Sequence, residues 1–160
     1  MRRAASVALL LLAFLPLAAC AGNPIRPHVT DEVSFWRADF AVDRDELLRA
    51  IESWDRCGDD RPACQEALFR VEVGAAVLSR IDSPSHPRIA DDALLPPAPC
   101  LRDADLMARA ATSDISQGAR AGWDAYETGS LSEIAVAQTE ISHGRSQLYA
   151  ASQLVDAAPC

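Results

Sequence analysis

Glu140-Ile141-Ser142-His143 sets a carboxylate and an imidazole three residues apart. Carboxylate-bridged di-metal bundles use that E-x-x-H spacing to put two ligands on one helix face. Such a site also takes a second E-x-x-H and two further carboxylates, and this chain has no second copy. The apolar phase through Ile141 and Gly144 turns His143 toward solvent, so no metal is expected there. "DRCGDD", residues 55–60, gathers three carboxylates but lacks the D-x-D-x-D-G order and closing glutamate of a calcium loop. Asp59 or Asp60 reads instead as a helix cap. His28 and His86 each stand beside prolines without a recognisable nucleophile or acid partner in the local sequence, and no serine lies in a G-x-S-x-G elbow. These residues predict no catalytic centre, no metal and no cofactor.

Cysteine is more informative. Cys57, Cys64, Cys100 and Cys160 form an even set with no C-x-x-C pair and no histidine close by, a poor match to a zinc site. In an exported chain an even set means disulfides, and four cysteines allow three pairings. Export is what the first twenty residues indicate. Arg2 and Arg3 precede an apolar run from Ala4 to Ala19 that ends in small residues, the layout of a signal segment. The run nears the roughly 20 residues that span a membrane, but Pro16 and Ala18-Ala19 favour a cleaved signal.

Leu17-Ala18-Ala19-Cys20 resembles the lipobox of bacterial lipoproteins at every position. That resemblance covers the signal alone. It implies removal of residues 1–19, acyl chains on the sulfur and amine of Cys20, and a protein held to a membrane by lipid. At about 0.8 kcal/mol per buried CH₂, two or three chains make a stable anchor. Ala21, rather than an aspartate, follows the cysteine, the pattern implying outer-membrane sorting where the cell has two membranes. Residues 21–30, with two prolines and no apolar period, read as a tether that reaches at most about 35 Å.

About 140 residues remain, enough for one helical domain over 31–160. Every basic residue is arginine. Without Arg2 and Arg3, thirteen arginines face 23 acids, a formal charge of −10. Such a surface repels nucleic acid and anionic headgroups.

The elements that must position these residues read as helices. Val33, Trp36, Phe40, Leu47, Ile51 and Trp54 share a face, although Asp43 interrupts it and Asp43 with Glu46 resembles a capping box. One helix or two over 31–56 stays open. A second helix from about Pro62 carries the stripe Cys64, Ala67, Val71, Gly74, Leu78 and Ile81. Residues 82–99 hold five prolines and form one long loop. Its Leu94 and Leu95, beside "PPAP", are either folded over the bundle end or a docking segment for a partner. A third helix repeats Leu101, Ala104, Ala108, Ala111, Ile115, Gly118, Gly122 and Ala125; a fourth repeats Ile134, Ala137, Ile141, Gly144, Leu148, Ala151 and Val155. Arg120 and Asp124 argue against reading Gly118 and Gly122 as a membrane-span motif. Ser130 and Glu133 suggest a second capping box.

The whole predicts an all-α, up-down bundle of about four helices with one long Pro-rich loop. In that order the first helix ends where the second begins, bringing Cys57 to Cys64. The third begins where the fourth ends, bringing Cys100 to Cys160. A Cys57–Cys100 bond would have to bridge about 30 Å of the second helix. The functional expectation is a non-catalytic, acidic envelope module that binds a protein partner, in an accessory, inhibitor or immunity role. The alternative is a small periplasmic binding protein or enzyme with its site between the helices.

Overall fold

A computed structural model describes residues 29–79 and 98–160. Among these residues four helices run, α1 (Val29–Asp55), α2 (Arg61–Leu78), α3 (Arg102–Thr128) and α4 (Leu131–Ala157), with a 3-10 turn, Pro99–Leu101, leading into α3. Contacts alternate in direction. Glu72 reaches Arg120 at 2.6 Å while Ser79 lies by Arg109, so α2 and α3 are antiparallel. Asp55 pairs with Arg145 at 2.7 Å, and Arg37 donates to the Ala158 carbonyl at 3.0 Å. Thus α4 returns antiparallel to α1, and the up-down order holds.

The first segment is one helix. No glycine or proline interrupts 29–55, and α1 buries all six residues of its predicted face. Trp36 stacks on Phe40 with ring centroids 5.2 Å apart, and the Arg44 guanidinium lies 5.9 Å from the Phe40 centroid. Asp43 does not start a helix, because α1 is continuous through it. Its half-buried position borders an outer groove, where a carboxylate keeps contact with water.

Asp60 is the N-cap of α2, its Oδ1 accepting from the Ala63 amide at 3.2 Å, with Pro62 in the first turn. Gly58, at φ +62°, supplies the left-handed residue of the link from α1. Beyond the expected stripe, α2 also buries Leu68 and Ala75, since it packs on α1 with one face and on α3 with another. The helix ends at Leu78, and Ile81 lies outside the described residues.

The α3 and α4 stripes meet along their length. A Cβ at Gly144 would lie 2.6 Å from Ile115 Cγ1 and 2.7 Å from the Ala111 carbonyl oxygen, and one at Gly118 would lie 2.8 Å from Ile141 Cγ1. Only hydrogen fits at either position. Gly129, at φ +74°, closes α3, and the Ser130 amide donates to the Ala125 carbonyl at 3.0 Å. That bond explains why the expected Ser130/Glu133 capping box does not form. The glutamate of such a box must reach the cap's own amide, and this amide is already held by α3. Ser130 Oγ lies 3.3 Å from Ser132 Oγ, with no side-chain cap bond.

Candidate functional site

Two outer faces carry chemistry that the core does not use. The first is the outer face of the α3–α4 hairpin. Asp114 pairs with His143 at 2.9 Å, and the Gly118 backbone approaches Glu140 Cβ, which fixes how the two helices lie side by side. At helical spacing Asp114, Ala121 and Asp124 then run along one edge of α3. Glu133, Val136, Glu140 and His143 run beside them on α4. From residue 121 to 144 the chain has four acids, Asp124, Glu127, Glu133 and Glu140, and no arginine.

The start of α4 is thinly covered. Of residues 131–139 only Ala137 is buried; Leu131 is 81% exposed, and Val136 is exposed as well. The contacts of α1 with α4 named above, Asp55–Arg145 and Arg37–Ala158, lie at residue 145 and beyond. The result is an acidic face with isolated apolar side chains, built on a hairpin whose inner seam is glycine-tight.

The second is a groove of about 310 Å³ between the outer sides of α1 and α2. Asp43, Glu46 and Arg49 border it from α1, and Arg70, Val73 and Val77 from α2. Phe69, Val73 and Val77 stand at successive i, i+4 positions, so they form a ridge along α2. They are 53%, 45% and 46% exposed, which is high for three consecutive positions of one apolar row. The neighbouring pairs, Arg49–Glu46 at 3.9 Å and Arg70–Glu66 at 3.0 Å, are exposed i, i+3 and i, i+4 contacts. Pairs of that kind contribute little.

The residues singled out in the sequence fall in different places. Cys57 and Cys64 are bonded, with Cα atoms 5.1 Å apart, as are Cys100 and Cys160 at 5.9 Å. This is the pairing that the helix order requires. Cys20, Leu94, Leu95, His28 and His86 lie outside the described residues. His143 is exposed, with Asp114 rather than Glu140 as its partner. The three carboxylates of residues 55–60 do not converge: Asp55 faces Arg145 and Asp60 caps α2. Among the described residues no group of three or more His, Cys, Asp or Glu side chains could hold one metal ion. In the same residues no helix is long and apolar enough to cross a membrane.

The Phe69-Val73-Val77 ridge was not singled out in the sequence, though its signal is there. It is an apolar i, i+4, i+8 row on the side of α2 away from the Cys64–Leu78 stripe. Comparison with known protein families, with curated proteins and with solved structures found no match.

Proposed function

We propose that this chain is a lipid-anchored envelope protein whose acidic helical module binds a basic protein partner near the membrane. The observation that carries the partner half is the outer face of the α3–α4 hairpin. There Asp124, Glu133 and Glu140, with no arginine between them in the chain, lie on one face with exposed Val136. A uniform negative face steers a positive one toward it and disfavours other acidic surfaces. Apolar side chains within the face supply area that a charge pattern alone does not. The anchor half rests on Leu17-Ala18-Ala19-Cys20, and the short stretch 21–28 before α1 keeps the module close to that membrane. A small-molecule site between the helices is the weaker reading, because the α3–α4 seam lacks space even for one added methyl group.

The partner half is tested by placing a photo-crosslinking residue at Val136 in cells. The chain has no lysine, so amine-directed crosslinkers are a poor choice. The expected result is one adduct with a basic protein, weakened by salt and lost when Asp124, Glu133 and Glu140 are changed to their amides. An adduct indifferent to those changes, or none, overturns the partner reading. For the anchor, mass spectrometry is expected to find a mature chain starting at Cys20 with added acyl mass, and Cys20→Ala to leave the membrane fraction. An unacylated mature chain overturns that half alone.

A further inference from the structure

The α1–α2 groove differs from the rest of the surface in its charge. The full chain carries 23 acids and 15 bases, yet the groove has two acids, Asp43 and Glu46, against two bases, Arg49 and Arg70. Beside that balanced border runs an apolar ridge, Phe69-Val73-Val77, directly against the hollow that Val73 and Val77 themselves line. A surface of this kind is complementary to itself. In a two-fold contact the same patch meets its own copy, so it must supply both signs of charge and both a projection and a recess. An acidic face cannot do this, and neither can the α3–α4 hairpin.

We infer that the α1–α2 groove is the contact between two copies of this chain, with the i, i+4 ridge of each seated in the groove of the other. Rows at i, i+4 spacing are what helices use when ridges of one surface fill grooves of another. Val42, exposed one turn before Glu46 on α1, extends the apolar area at the same edge. Arg49 and Arg70 leave their solvent-exposed pairs with Glu46 and Glu66 at little cost, and turn to Asp43 and Glu46 of the second copy. The dimer keeps the acidic α3–α4 faces outside the contact, so the interaction proposed for them is presented twice.

The experiment uses the full chain in density-matched detergent, with sedimentation equilibrium reporting mass. A concentration-dependent dimer is expected, and Val73→Asp weakens it by at least about tenfold, as removal of a central apolar contact does. Charge is tested separately with two double variants. Arg49→Glu with Arg70→Glu makes the groove wholly acidic, and Asp43→Arg with Glu46→Arg makes it wholly basic. Each is expected to be monomeric alone, and the two mixed are expected to form a heterodimer. Circular dichroism and intact disulfides confirm that each variant is folded.

Failure takes three forms: a monomeric wild-type chain, a dimer unaffected by Val73→Asp, or no association on mixing. Any one of them overturns the inference. Changing Glu133 and Glu140 to glutamine leaves this dimer unaltered, so its failure and that of the partner reading are separate results.

Discussion

Each half of the bundle is an antiparallel helix pair with its own disulfide, but the two halves are packed from opposite materials. Between α3 and α4 the contact consists of Gly118, Gly122, Gly144, Ala111 and Ala137, with Ile115 and Ile141 as the larger members. α1 brings Trp36, Phe40, Leu47, Ile51 and Trp54 to its partners instead. Small residues bring backbones close and leave a rigid seam with no slack. Large ones fill more volume, and the outer groove of that pair opens where its residues are small, at Ala50, Ser53 and Gly74. The difference teaches that tightness and openness here are set by side-chain size at the seam. It also separates the two outer faces: a stiff acidic one on the α3–α4 pair, a grooved and charge-balanced one on the α1–α2 pair.

The largest test of this contrast is covalent. Cys100–Cys160 closes 60 residues and Cys57–Cys64 closes 7. In the chain-entropy treatment these bonds contribute about 4 and about 2.5 kcal/mol respectively. Cys100→Ser with Cys160→Ser is therefore expected to lose more stability in urea unfolding than Cys57→Ser with Cys64→Ser. Equal losses would mean that strain or residual structure, rather than loop closure, decides what each bond contributes.

A smaller effect tests the close seam directly. Gly144→Ala gains about 1 kcal/mol of helix propensity, yet its methyl group would lie 2.7 Å from a backbone carbonyl on α3 and 2.6 Å from Ile115. Backbone cannot rotate away, so the helices must separate. Overpacking of this kind typically costs about 1–3 kcal/mol, occasionally more. Two contacts below 3.0 Å place this site at the upper end, about 3 kcal/mol, so the net expectation is a loss of about 2 kcal/mol in urea unfolding. A neutral result would show that the seam has slack, and the contrast between the halves would be lost.

Much of this was legible in the sequence. The α3 and α4 stripes repeat without a break, and the alanines and glycines at nine of their fifteen positions announced a close approach. Helix order then limited Cys57 to Cys64 and Cys100 to Cys160. What misled were local cap signals: Asp43/Glu46 lies within a helix that tertiary burial keeps whole, and Ser130 gives its amide to α3. Leu68 and Ala75 escaped the single-stripe reading because α2 has two neighbours, so its buried arc is wider than one stripe. The two outer faces escaped for a related reason. Which polar and apolar residues share a surface across two helices depends on the register between them, and no single helix records that.

The smallest expected effect is the most discriminating. Gly74 sits on α2 facing α1, and a Cβ there would lie 3.3 Å from Leu47 Cα and 3.3 Å from Leu47 Cδ1. That is closer than ordinary van der Waals contact, but only by a few tenths of an ångström. The Leu47 side chain can turn. α1 can also move outward, since it is held to α4 by a narrow seam that includes Asp55–Arg145 and Arg37–Ala158. The propensity gain of about 1 kcal/mol then offsets most of the crowding, and Gly74→Ala is expected to lie within about 0.5 kcal/mol of wild type in urea unfolding. The same substitution thus gives a large loss at position 144 and almost none at 74. A loss of about 2 kcal/mol at 74 would make the α1–α2 seam as unyielding as the other, and the contrast between the halves would be lost.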